Sequence, residues 1–136
     1  MLFRSVIDAD ALQPGIVNAG RAPRILTPHA GEWERIARAI PRHAVVIRKG
    51  PLTRITSGAT EYFNPCGGPV LSRGGSGDLL TGLAGGLLAQ SPGDPVAAAA
   101  GAVVWHGAAA DELARTHGAT AVAVTQLLDF LPVALR

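Results

Sequence analysis

Residues 64–90 read NPCGGPVLSRGGSGDLLTGLAGGLLAQ and hold eight of the chain's seventeen glycines. Glycine gives up more conformational freedom on folding than any other residue. Such a cluster therefore needs a local cause: turns with positive φ, or a partner that must come close to backbone. The apolar run at its end predicts a helix over about 77–90. A helix N-terminus presents free N–H groups and the positive end of a dipole, which together attract anions. Gly74, Gly75 and Gly77 let the amides wrap a phosphate with no Cβ in the way. The stretch lacks the Gly-Lys-Ser/Thr of the Walker loop, and its glycine spacing is not that of the dinucleotide fingerprint. Asp78 stands out, because a carboxylate repels phosphate. A helix start, however, keeps it ionised and able to accept a proton. A base beside a phosphate cradle is what phosphoryl transfer to a hydroxyl requires. The plainer reading, in which Ser76 or Asp78 only caps the helix, accounts for one of these residues but not for the three glycines around them. Gly82, Gly85 and Gly86 read as small residues that let the helix pack closely on a sheet.

Outward from this loop, the rest of the chain alternates strands and helices. RSVIDADAL reads as a short strand delivering Asp8 and Asp10 to its carboxyl end. PRILTPHAGE gives a second strand and a turn. A helix follows through EWERIARAI, with Trp33, Ile36, Ala37 and Ile40 on one face and Pro41 as its stop. Consecutive Val45, Val46 and Ile47 predict a strand buried on both faces. TRITSGATEYF alternates and breaks at Ser57-Gly58, the pattern of a hairpin near a sheet edge. Asp94 as N-cap and Pro95 at the first helical position start a helix that runs to about Arg115 and ends near Gly118. A final helix is expected over about 124–135, with Leu127, Leu128, Leu131 and Val133 on its apolar face. The sum is α/β, with helices covering a largely parallel sheet. Only three core strands and a hairpin are present, so the chain reads as part of a larger sheet.

Composition narrows the function classes. The 136 residues form at most one domain, with 48% hydrophobic and 16% charged side chains and only six aromatics. Net charge is +2, but the basic residues are scattered, so no nucleic-acid-binding stripe is expected. Cys66 is the only cysteine, which excludes an internal disulfide and a cysteine zinc site and suits a reducing cytoplasm. The opening MLFRSVIDAD meets charge at once and lacks a signal-peptide core. The longest apolar run, VAAAAGAVVWHGAAA at 96–110, is short of a membrane span, and no membrane association is expected. His43, His106 and His117 have no partners at metal-binding spacing and read as structural or surface residues, and no protein metal site is expected.

LTPHAGE, VVIRKGPLT and NPCGGPVLSRGGSGDLLTGLAGGLLAQ, in that order, resemble the ADP- or ATP-dependent NAD(P)H-hydrate dehydratases, a branch of the ribokinase-like superfamily. The resemblance runs from about residue 6 to the end. It implies a three-layer αβα fold, here the C-terminal half of the usual domain, and a cytoplasmic enzyme. It implies repair of hydrated NADH or NADPH, with ADP or ATP and Mg2+ phosphorylating the added hydroxyl before phosphate is eliminated. Carried over by position, Asp78 is the base and a substrate contact. Gly75, Ser76 and Gly77 form the anion hole, with Gly77 also touching nucleotide. His29 contacts substrate, its plain alternative being a cap for the following helix. Lys49, Gly50, Pro51, Leu52 and Thr53 form the nucleotide-binding turn, and Lys49 is the chain's one lysine, a flexible point charge suited to phosphate. Asn64 begins the turn that shapes the site. Glu32 could assist a metal-linked water or cap its helix.

The sequence also departs from that pattern. The family's domain is about twice as long, so the resemblance implies an N-terminally truncated domain spanning 1–136. Another chain, a second copy or an upstream segment would complete its cleft. Ala30 replaces a proline. Arg73 stands where a small residue is usual, and could either add a phosphate contact or crowd the nucleotide. Two other readings stay open: an inactive remnant that binds nucleotide, and a ribokinase-like kinase acting on a small-molecule hydroxyl.

Overall fold

The structure, a computed structural model, describes residues 4–136. The first three residues of MLFRSVIDAD, the stretch that lacks a signal-peptide core, lie outside them. Five strands form one sheet in sequential order: β1 (Ser5–Ile7), β2 (Arg24–Leu26), β3 (Val45–Arg48), β4 (Thr53–Ser57) and β5 (Thr60–Asn64). β1, β2 and β3 are parallel, and β3, β4 and β5 are antiparallel, so the expected hairpin closes one edge. Short helices α1 (Pro14–Val17) and α2 (Ala30–Ile36) lie in the β1–β2 and β2–β3 connections. α3 (Ser76–Gln90) and α4 (Pro95–His117) follow the hairpin.

Neighbouring residues of a strand point to opposite faces of the sheet. Ile25, Val45, Ile47 and Ile55 pack against Leu80, Ala84 and Leu88 of α3 and the alanines of α4. Leu26 and Val46 pack with Leu12, Val17 and Ile36 on the other face. Val45, Val46 and Ile47 are all buried, as the unbroken apolar run predicts. The result is helix, sheet and helix in three layers.

Three local expectations are corrected. α2 ends at Ile36, well before Pro41, and the Ala39 N–H turns back to the Ile36 carbonyl at 2.8 Å. The residue ahead of a proline is disfavoured in the helical region, and the early turn still leaves Ile40 packed on the core. The C-terminal helix is only α5 (Leu127–Phe130), preceded by a 3-10 turn, because Pro132 has no N–H to continue it. Leu127 is buried there, whereas Leu128 and Val133 face solvent. Of the three later α3 glycines only Gly85 faces the sheet, its Cβ position lying 3.9 Å from Val6, while nothing lies within 4 Å of Gly82 or Gly86.

α4 starts as its sequence dictates, with Asp94 Oδ1 accepting the Ala97 N–H at 2.9 Å and Pro95 at the first position. Asp94→Ala is expected to cost about 1 kcal/mol, read as a lower urea midpoint at unchanged slope. Among the described residues no helix is long and apolar enough to cross a membrane.

Candidate functional site

Parallel strands point their carboxyl ends the same way, and ligands of open α/β sheets bind outside those ends. Asp8 follows β1, Thr27 and His29 follow β2, and Lys49 follows β3. The glycine loop brings the start of α3 to the same place. Between them lies a cavity of about 490 Å³ walled by His29, Lys49, Gly50, Pro51, Thr53, Ser76 and Gly77, with Cys66, Gly68 and His106 completing it.

No side chain caps α3, so the reading of Ser76 or Asp78 as mere caps is overturned. Ser76 N–H donates to the Arg73 carbonyl at 3.2 Å and Leu79 N–H to the Gly75 carbonyl at 3.2 Å. That leaves the Gly77 and Asp78 amides for an incoming anion. Gly75 is the residue that turns the chain, with φ of +89°, and a Cβ there would sit 3.2 Å from Val124 Cγ1. Gly75→Ala therefore combines a left-handed backbone with a tight contact. It is expected to destabilise the fold by about 1–2 kcal/mol in a chemical melt. Gly77 has ordinary φ but a crowded neighbourhood, its Cβ position lying 3.2 Å from Lys49 Nζ. Gly74 shows neither constraint within the chain.

Lys49 Nζ donates to Asp8 Oδ1 at 2.9 Å and lies 3.9 Å from Glu32 Oε2. Thr81 Oγ1, one turn into α3, donates to Asp8 Oδ2 at 2.8 Å. Burial raises the Asp8 pKa, but the hydrogen bonds from Lys49 and Thr81 and the Lys49 charge outweigh it and hold the carboxyl below its ordinary value. The network ties β1, β3 and α3 into one unit beneath the loop.

His29 does cap its helix. Its Nδ1 accepts the Gly31 and Glu32 N–H groups at 3.1 and 3.4 Å, and Glu32 Oε2 accepts the His29 N–H at 2.8 Å. Nδ1 accepting places the proton on Nε2, 3.3 Å from Glu32 Oε1. The ring is mostly exposed and lines the cavity, so capping and substrate contact are compatible. Glu32 is buried and spent on this cap.

Leu52 is half exposed and stands outside the cavity wall, unlike its neighbours in the turn. Asn64 is buried at the end of β5, where Nδ2 donates to the Cys66 carbonyl at 3.3 Å. Arg73 turns away from the loop, and its Nη2 donates to the Ala119 and Thr120 carbonyls at 2.9 and 2.6 Å. Asp78 is exposed and lines a separate groove of about 290 Å³ on the next face of α3, with Leu79, Gly82, Leu83, Gly86 and Trp105. The structure thus gathers His29, Lys49, Thr53, Ser76 and Gly77 in one cavity and sets Asp78 across the loop from it.

Sequence reasoning left His106 as structural or surface, without a partner. It is buried, with Nε2 3.4 Å from Ser76 Oγ. Burial pushes its pKa down to about 4, against a smaller raising effect of its hydrogen bond to Ser76. The two stand thirty positions apart, which leaves no spacing signal; only the fold joins them.

The family described as NAD(P)H-hydrate dehydratase matches residues 4–133. The chain is 40% identical to the bifunctional NAD(P)H-hydrate repair enzyme Nnr of Moorella thermoacetica, over 97% of this chain and 29% of the relative. It is 31% identical to the ADP-dependent (S)-NAD(P)H-hydrate dehydratase of Listeria monocytogenes, over 96% of this chain and 51% of that one. In structure it resembles the ADP/ATP-dependent NAD(P)H-hydrate dehydratase of Bacillus subtilis, co-crystallised with ATP/Mg2+. The TM-score is 0.80 at 30% identity, over 97% of this chain and 54% of that one. The chain spans about half the length of the dehydratases it matches and under a third of the repair enzyme.

Proposed function

This chain belongs to the NAD(P)H-hydrate dehydratase family, and from that premise we propose that it serves the ADP- or ATP-dependent dehydration of hydrated NADH and NADPH. Residues 1–136 are then one part of a ribokinase-like domain in a cytoplasmic repair enzyme, completed by a further segment or a second copy. The observation that carries the reading is the uncapped N-terminus of a fifteen-residue helix opening, through a glycine loop, into a cavity that also holds Lys49 and His29.

In this reading the nucleotide lies against Lys49, Gly50, Pro51 and Thr53, and its transferring phosphoryl group enters the anion hole of Gly75, Ser76 and Gly77, where the unbonded amides are those of Gly77 and Asp78. These donors are fixed before the reaction, so developing charge is met without reorganisation. Asp78 takes the proton of the substrate's hydroxyl as its oxygen bonds to the terminal phosphorus and the phosphoanhydride bond breaks, releasing AMP from ADP or ADP from ATP. Loss of the new phosphate ester as inorganic phosphate, with a ring proton, restores the double bond. His29 presents its ring to the substrate from the other wall. Among the described residues no three metal-binding side chains converge. Asp8 and Glu32 are held by Lys49 and the helix cap. A magnesium ion fits here as companion to the nucleotide's phosphates, a mode in which protein supplies few ligands, and when bound it neutralises phosphate charge.

The test is a thermal melt of the purified chain with and without magnesium-ADP, repeated with ATP. At a hundredfold excess over the dissociation constant, binding adds about 2.7 kcal/mol, a rise of several degrees. Turnover of hydrated NADH completes the test. A cooperative melt that neither nucleotide moves would overturn the reading.

A further inference from the structure

The glycine loop has no cap of its own, so something else must fix where its amides point. We propose that one face of α4, formed by His106, Gly107 and Asp111, positions the loop by gripping both of its ends; the link to nucleotide binding rests on the proposed function.

At the loop's near end, Asp111 Oδ1 accepts the Gly67 N–H at 2.9 Å. Beside it, Gly107 receives the Asn64–Cys66 turn at van der Waals contact. A Cβ on Gly107 would lie 2.9 Å from Asn64 Nδ2 and 3.0 Å from both Cβ and the carbonyl oxygen of Cys66. Two of those atoms belong to Cys66 close to its backbone, so the turn itself would have to move. At the far end, His106 Nε2 sits 3.4 Å from Ser76 Oγ, with both side chains buried. The residues between these grips include Gly68, Pro69, Leu71 and Ser72, all of which wall the cavity.

His106 and Gly107 are adjacent on α4, and Asp111 lies one turn beyond Gly107, so the three share one side of a rigid helix. That side measures the distance between the Asn-Pro turn and the start of α3. The histidine must be neutral to serve. An imidazolium there would face the positive end of α3 from a buried position. These are positioning residues: they act on the ligand through Gly67 and Ser76.

Two readouts test this on the purified chain. The first is amide hydrogen exchange of residues 67–77 in His106→Ala and Asp111→Ala. Exchange is expected to quicken at least about tenfold at the gripped end and to stay unchanged in β3. Exchange in 67–77 equal to wild type in both variants would overturn the proposal, whatever the nucleotide result. The second is titration with magnesium-ADP, where His106→Ala and Gly107→Ala are expected to raise the dissociation constant about tenfold or more. His106→Gln, which can still hydrogen-bond Ser76, is expected to recover most of it. A residue that only supports the core would move the melt and leave that constant alone, and this result would also overturn the proposal. Wild-type chain that binds no nucleotide while its variants still loosen 67–77 would sink the proposed function and leave the positioning role standing.

Discussion

Lowering the pH from 7 to 4 is expected to remove about 3 kcal/mol of folding stability through one side chain, His106. In the folded chain the imidazole is buried and its pKa is depressed to about 4; unfolded, it returns to the ordinary 6.5. Between those values the unfolded chain holds a proton that the folded chain refuses. Stability therefore rises with pH across the window from 4 to 6.5 and falls on acidification. Each pH unit of such a mismatch is worth about 1.4 kcal/mol, which sets the total. Asp8 adds a smaller effect of the same sign lower down. Its folded pKa lies below the ordinary 3.8, so its contribution is present above that value and lost as pH falls through the folded one. Urea unfolding of wild type and His106→Gln at pH 7, 5.5 and 4 checks the assignment. The wild type should lose stability steeply and the glutamine variant much less. Equal slopes would mean that the histidine is not buried neutral.

Asp78→Asn is expected to lower turnover of hydrated NADH about 10²- to 10⁴-fold, the range for removing a general base. The amide keeps the shape of the carboxyl and stays on an exposed first-turn position, so the melt should hardly move. It also leaves the Gly77 and Asp78 backbone amides in place, so the magnesium-ADP shift should survive or grow slightly as a negative charge near phosphate is removed. The geometry makes this separation possible. Ser76 and Gly77 face the cavity, while Asp78 looks into the groove beside Leu83 and Trp105. Phosphoryl donor and hydroxyl acceptor would then approach the loop from its two sides. A kcat within about fivefold of wild type would remove Asp78 from the chemistry.

What was legible in the sequence follows the range of the forces involved. The run Val45–Ile47 announced a strand buried on both faces because side-chain alternation is fixed by the backbone alone. Asp94-Pro95 announced a helix start because capping acts within three residues. The glycine loop announced itself because positive φ at Gly75 is a local demand. The errors fall where two distant segments decide. His106 and Ser76, and the clamp of Asp8, Lys49 and Thr81, meet only through the fold. Gly82 and Gly86 carry the same letter as Gly85 but face a groove instead of the sheet, and helical periodicity could not say which neighbour each would find. Pro132 and the early end of α2 show the reverse case, in which apolar spacing suggested a longer helix than backbone chemistry permits. The candidate site was legible in its loop and in the Lys49 turn. The face of α4 that holds the loop was not.

The lysine clamped at Asp8 has a consequence for labelling chemistry. Apart from the chain's α-amino group, Lys49 is the only primary amine in 136 residues. Acylating reagents need an accessible amine, and this one donates to a carboxylate at 2.9 Å and is three-quarters covered. The molecule therefore carries its own footprinting reagent target. Under brief treatment with an acetylating ester, intact mass should show a single added acyl group while the clamp holds and a second once it opens. A count of adducts thus reports the state of the Lys49 turn without a probe being engineered into it.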